Sequence, residues 1–279
     1  MAEFTSNYFQ SNELNLHYIN FETTAKRPLI MLHGMRSYAQ AWNDVANELT
    51  NDFDIYALDH RGRGESDWDP NRNYFTDAYV DDLTNFVNIK GFNKLSLMGH
   101  SMGGANSIVY ASRNPEIVET LVIVDIGPRT ATSIGGARIN QELNNTPTEF
   151  DSLDEVKIFW RKQRPSISEH ALNERVNYTI KQLDSGKYGF KWDVHGIANG
   201  RINGIQPEID MWDCVKKIQC PTLLIRGANS DVLQSDVAIE MIKQNSNITL
   251  IEIPEATHYV HDDQLDLFNQ EVNSFYQKI

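Results

Sequence analysis

The chain has 279 residues, 41% hydrophobic and 23% charged, proportions of a folded globular protein with room for one large α/β domain or a core with an insertion. A net charge of −13 repels phosphate backbones and anionic lipid, which argues against nucleic-acid and membrane partners. Two cysteines, Cys214 and Cys220, read as free thiols; no stretch reaches the roughly 20 apolar residues of a membrane span, and the polar start MAEFTSNYFQ is unlike a signal peptide, so the expected location is the cytoplasm.

Two alternating runs in NYFQSNELNLHYINFE (7–22) predict an antiparallel hairpin at a sheet edge. Six short, nearly continuous apolar runs follow: RPLIMLHG (27–34), FDIYALDH (53–60), KLSLMGHS (94–101), TLVIVDIG (120–127), PTLLIRGA (221–228) and ITLIEIPE (248–255). Strands covered on both faces look like this. Helical patterns separate them at 39–50, 75–90, 102–114 and 235–245, and a last one at 264–279 closes the chain. The alternation implies a parallel sheet with helices on both faces. From about Pro128 to Asp210 the rhythm stops. A loop rich in glycine and small polar residues, GPRTATSIGGARIN, opens this stretch, and helical patterns follow at 151–163 and 168–186. The expectation is a strandless helical insertion, 128–210, above a core formed by 1–127 and 211–279.

Within that order, LMGHSMGG (97–104) stands where a strand gives way to a helix. G-x-S-x-G in this setting is a nucleophile elbow: side chains two positions either side of Ser101 would collide, hence Gly99 and Gly103. A P-loop lysine and a dinucleotide spacing are both absent.

A serine hydroxyl needs a base to attack. Of the eight histidines, His258 follows the last strand, where a loop can reach Ser101; His261 lies one turn further on. The acid is expected after an earlier strand. Asp231, in RGANSDVL, is the first choice; Asp125, in VIVDIGP, is the rival, and Asp236 reads as the first turn of a helix. Two backbone N–H groups should hold the oxyanion, those of Met102, after the nucleophile, and Met35, after His33-Gly34.

Together these segments resemble the α/β-hydrolase fold superfamily, over nearly the whole chain outside 128–210. LHGMRSYAQAW looks like the family's oxyanion loop, DHRGRGES (59–66) like its D-x-R-G-x-G-x-S loop, GHSMGG like its elbow, and RGANSDVL and ATHYV like its acid and histidine loops. The resemblance is closest to small esterases, lactonases and carbon–carbon bond hydrolases with a helical cap. It implies a mostly parallel eight-stranded sheet, an acyl-serine mechanism through Ser101, His258 and Asp231, and no metal or organic cofactor. Serine at the elbow sets aside the dehalogenase and epoxide-hydrolase branches, which use aspartate there.

The expected partner is a small-molecule ester bound between sheet edge and cap; a homodimer is left open. Expected pocket walls are Trp42, Phe159, Trp160, Met211, Trp212, Val232 and Tyr259, with Met35 and Met102. The leading expectation is a carboxylic-ester hydrolase for small to medium acyl groups. Alternatives on the same triad are a carbon–carbon hydrolase, a lactonase and a cofactor-free perhydrolase; a non-enzymatic small-molecule receptor is the alternative of another class. A carbon–carbon hydrolase would want basic groups near the substrate's carboxylate, for which Arg36, Arg129 and Arg201 are candidates.

Overall fold

The computed structural model describes residues 3–21, 23–204 and 208–279. The N-terminal alternation folds as a hairpin, β1 (Phe4–Ser11) and β2 (Leu14–Phe21), paired in antiparallel register from Phe4 opposite Phe21 to Ser11 opposite Leu14. There follow β3 (Arg27–Leu32), α1 (Asn43–Leu49), β4 (Phe53–Leu58), α2 (Thr76–Lys90), β5 (Leu95–His100), α3 (Met102–Arg113) and β6 (Val118–Val124). The insertion carries α4 (Ile134–Asn144), β7 (Glu149–Phe150), α5 (Leu153–Gln163), α6 (Glu169–Thr179), β8 (Ile180–Gln182), β9 (Tyr188–Phe190) and α7 (Val194–Asn203). The core resumes with α8 (Met211–Lys217), β10 (Thr222–Gly227), α9 (Ser235–Gln244), β11 (Ile248–Ile253), α10 (Val260–Asp263) and α11 (Leu265–Tyr276).

Eight strands form one sheet in the order β1-β2-β4-β3-β5-β6-β10-β11. Only the β1–β2 and β2–β4 pairs are antiparallel. The strand order turns outward from β3, so the loops after β3 and β5 open side by side, where an α/β sheet places its ligands. Leu83 and Phe86 of α2, Ile108 and Val109 of α3, Val215 of α8 and Met241 of α9 bury one face of the sheet. Val45 and Leu49 of α1 and Phe268 and Val272 of α11 bury the other. This double cover is why the strands are apolar at almost every position. Cys214 and Cys220 are free and buried.

The insertion differs from its expectation in two ways. GPRTATSIGGARIN is a loop only in its first half: Ser133 caps α4 by accepting the Gly136 N–H, and the helix begins at Ile134. The stretch 168–186 is helical only to Thr179, after which β8, β9 and β7 make a three-stranded antiparallel sheet. Its turn places Gly186 at φ 83°, and the Leu183 N–H donates to the Lys187 carbonyl at 2.8 Å. Strands of two or three residues are too short to carry a period in sequence. The insertion has its own core, built on Trp160, Trp192, Phe190, Phe150, Leu143 and Leu172. Met35 and Met102 pack against that core from the sheet side, so the insertion is a cap seated on the strand ends.

Candidate active site

Ser101 sits between β5 and α3 at φ 53°, ψ −119°, a conformation costly for any residue with a side chain. Its glycines are sterically required. A Cβ on Gly99 would lie 2.4 Å from the Gly103 carbonyl oxygen, and one on Gly103 would lie 2.2 Å from that of Leu32. The turn is held by the Ser101 N–H donating to the Val124 carbonyl at 2.9 Å and by Ala105 N–H donating back to Ser101 at 2.9 Å. The first N–H groups of α3, that of Met102 among them, have no intrahelical acceptor, and the Ser101 side chain does not cap them.

His258, buried after β11, places Nε2 2.9 Å from the Ser101 Oγ. Its Nδ1 lies 2.7 Å from Oδ2 of Asp125. With Nδ1–H given to that carboxylate, Nε2 is free to accept the serine proton. The His258 carbonyl accepts the Nε2–H of His100 at 2.8 Å, which fixes the loop. Gly227 makes the approach possible, since a Cβ there would stand 2.1 Å from the Thr257 carbonyl oxygen.

The acid beside the histidine is therefore Asp125, at the end of β6, and not the expected Asp231. Asp125 is fully buried with φ 53°. Its Oδ1 accepts the Gly227 N–H at 3.0 Å, and Oδ2 accepts the Ser230 hydroxyl as well as His258. The loop after β10 explains the correction. It turns Ser230 inward to Asp125 and the next side chain, Asp231, outward to the cap. There Asp231 accepts Nε and Nη2 of Arg138 at 2.7 and 3.0 Å. The Arg138 guanidinium holds the Asp231 carboxyl below the usual carboxylate range, against the opposing effect of its partial burial.

Met35 follows Gly34 in the loop after β3. Two arginines grip this loop's carbonyls: Arg63 Nε donates to Met35 at 3.1 Å, and Arg175 Nη1 donates to Arg36 at 2.8 Å. The loop's base is anchored by Asp59, whose buried carboxylate accepts the Ala39 N–H at 2.7 Å and pairs with His17 Nδ1 at 2.7 Å. That is the work of the D-x-R-G-x-G-x-S segment. Gly64, at φ 55°, leaves room for Asp59, which a Cβ would meet at 2.2 Å. Burial lowers His33 at this base to about 4, and it also pushes His60, His100 and His261 below the ordinary histidine value.

A cavity of about 200 Å³ opens at Ser101 and His258 and runs between the core and α6. Met35 and Tyr259 line it, as expected. The other expected walls do not. Trp42 is buried below the site, its ring stacked on His261 at 4.9 Å. Phe159 and Trp160 belong to the cap's core. Met211 and Trp212 border a separate depression beside Pro128 and Arg129. Val232 lies against the start of α4, where a Cβ on Gly135 would meet it at 2.6 Å. Met102 contributes its backbone position, its side chain turning to Arg63. Large apolar side chains were recruited to packing, and the wall is more polar than expected, with Arg36, Tyr38, His170, Glu174, Arg175 and Asp262 on it. Of the basic candidates, Arg36 pairs with Glu142, Arg129 faces Asp236 and Arg201 bonds Asn140. Arg175 and Tyr38 were not singled out in sequence; nothing in the polar helical pattern of α6 marks which of its residues turns inward.

A serine, a histidine and an aspartate thus meet in one hydrogen-bonded row on the loops of a mostly parallel sheet, each supplied by a different strand end, an arrangement that goes with the α/β-hydrolase fold. The model of the alpha/beta hydrolase fold family matches residues 27–265, and the chain belongs to that family. Among curated proteins it is 26% identical over 250 residues to the 3-hydroxybutyrate-oligomer hydrolase of Cupriavidus necator, covering 83% of this chain and 82% of that one. It is 23% identical over 277 residues to the 2-(acetamidomethylene)succinate hydrolase of Mesorhizobium japonicum, covering 98% of each. The crystal structure of an E-2-(acetamidomethylene)succinate hydrolase superposes with a TM-score of 0.87 at 21% identity, over 99% of this chain and all of the other. Among the described residues no helix is long and apolar enough to cross a membrane, and no cluster of metal-ligating side chains is found.

Proposed function

We propose that this hydrolase cleaves carboxylic esters of small to medium acyl chains through an acyl-serine. The observation that carries the reading is the buried relay Ser101–His258–Asp125, with Oγ to Nε2 at 2.9 Å and Nδ1 to the carboxylate at 2.7 Å, at the inner end of a cavity. His258 takes the hydroxyl proton as Ser101 Oγ attacks the ester carbonyl. The N–H groups of Met35 and Met102 receive the charge that develops on the carbonyl oxygen, each such donor contributing about 3–4 kcal/mol in comparable sites. Collapse expels the alcohol, protonated by His258. A water then gives its proton to His258, attacks the acyl carbon and releases Ser101 and the acid. Asp125 keeps the imidazole in the required tautomer and stabilises its cation. The relative named for 3-hydroxybutyrate oligomers, themselves esters, supports the ester reading.

The test is a p-nitrophenyl ester series from acetate to decanoate on the wild type and Ser101→Ala. Multiple turnover in the wild type, reduced by about 10⁴-fold or more in the variant, supports it, and the chain-length optimum sizes the acyl site. Turnover retained in Ser101→Ala removes the serine from the mechanism. A single turnover with ligand-induced stabilisation would instead favour a receptor.

A further inference from the structure

Arg175, on the inner face of α6, has a side chain that the mechanism leaves unused. The residue is 5% exposed and lies on the wall of the cavity that contains Ser101 and His258. Its guanidinium stacks over Trp160 at 4.6 Å and lies 5.9 Å from the ring centres of both Tyr38 and Tyr259. Among the described residues it makes one hydrogen bond, Nη1 to the Arg36 carbonyl, and no ion pair. A cation this deep normally has a carboxylate partner. The other charges on the wall show the contrast. Arg36 is neutralised by Glu142, Asp262 by Arg164, and Asp44 is paired with His170 at 2.9 Å. Glu174 keeps partial access to solvent, which screens it. Asp262 feels Arg175 as well as Arg164, but among the described residues no carboxylate comes within ion-pair distance of Arg175, which retains free donors at the cavity wall. Tyr38 stands beside it on the same wall, with no hydrogen-bond partner for its hydroxyl among the described residues; burial pushes this phenol upward, so it stays a donor.

We infer that the Arg175 guanidinium, with the Tyr38 hydroxyl, binds a carboxylate carried on the acyl part of the substrate, so that the preferred substrates are half-esters of dicarboxylic acids. The inference rests on the ester-hydrolase reading. Water supplies hydroxide to the acyl carbon and a proton to the departing alcohol, and the acid released is a dicarboxylate. On a chain of net charge −13, an anionic substrate needs such a dedicated cation.

The experiment compares kcat/KM for the monoethyl esters of succinate, glutarate and adipate with uncharged esters of matched shape, in which an isopropyl group replaces the carboxylate. The wild type is expected to prefer one half-ester over its neutral match by about 10–100-fold, the range of a charge-assisted hydrogen bond. Arg175→Met should abolish that preference and Arg175→Lys should keep part of it. Because Arg175 also holds the Arg36 carbonyl, the ratio between the two esters within each variant is the readout, not either rate alone. Neutral esters turned over with no preference for a half-ester at any length, or a preference that survives Arg175→Met, overturn the inference and leave the ester reading standing. No turnover of any ester overturns the ester reading. Thermal stabilisation then tests the anion site separately. The succinate, glutarate or adipate dianion should stabilise the wild type saturably while its diethyl ester does not; equal responses to the two overturn the site. Should Arg175→Met fail to fold, Arg175→Lys carries the comparison, and an unchanged ratio in it together with unchanged stabilisation by the dianion overturns the inference.

Discussion

Two carboxylates stand at the ends of neighbouring strands and face different parts of the molecule. Asp125, after β6, is fully buried, and its partners Gly227, Ser230 and His258 all belong to the core. Asp231, in the loop after β10, has a side chain 34% exposed and is bound to Arg138 of the cap. From Arg138 the ion pairs continue through Glu142 to Arg36 in the loop after β3. One carboxylate is fixed by rigid donors in a dry site, which suits a group that must orient a histidine. The other ties two layers together through flexible, partly wet side chains. A place at a strand end therefore does not by itself bring a carboxylate to His258; burial and the origin of the donors separate the two.

The contrast is broken most directly at Asp125. Asp125→Asn is expected to lower kcat by about 10⁴-fold: the amide oxygen stays with the Gly227 N–H, the NH2 takes the place of Oδ2 and donates to Nδ1, and the ring proton is left on Nε2, the wrong tautomer to accept from Ser101. Steady-state kinetics of this variant beside Asp231→Asn decide between the two carboxylates, and a larger loss in Asp231→Asn would reverse the assignment.

Acid should next distinguish the core from the cap contact. Burial lowers His33 to about 4, and His60, His100 and His261 are lowered in the same direction. Below the ordinary histidine value near 6.5 the unfolded chain binds protons that the folded chain refuses, so stability falls as pH drops. For His33 the window runs from about 6.5 to about 4 and the loss is roughly 3 kcal/mol. Asp231 acts in a different window. Its folded value is depressed, so its contribution is present above the ordinary carboxylate value and is lost only as pH falls through the lower one. Urea midpoints measured from pH 7.5 to 4 should fall steeply; a flat profile would contradict neutral burial of these rings.

The smallest effect is expected at Asp231 itself. Asp231→Asn should cost about 1 kcal/mol or less, because the pair with Arg138 is partly exposed, and kcat should change by less than about tenfold. Salt should reproduce that loss in the wild type by screening the pair. Denaturation midpoints at low and high ionic strength, compared with the variant's, check this.

Much of the site was legible because its constraints are local. Gly99, Ser101 and Gly103 are forced by contacts within one turn, and the six apolar runs by burial on both sheet faces. His258 followed from its place after the last strand. What escaped were choices between equivalent neighbours. Ser230 and Asp231 are adjacent, and only the path of the loop past Ala256 and Gly227 decides which side chain meets Asp125. The expected aromatic walls Trp42 and Trp160 could fill a core as well as a pocket, and the core took both. The miniature sheet of the cap is too short to leave a pattern.

The sequence by itself thus determined the sheet, the tight turn at Ser101 and the histidine that meets it, since each is set by backbone sterics or by order and hydrophobic periodicity along single segments. The tertiary structure alone decided which carboxylate meets His258, which side chains line the cavity, and that Arg175 has no ion-pair partner among the described residues. Those depend on which side chains from distant segments share one buried volume, and electrostatic pairing across that volume has no period along the chain.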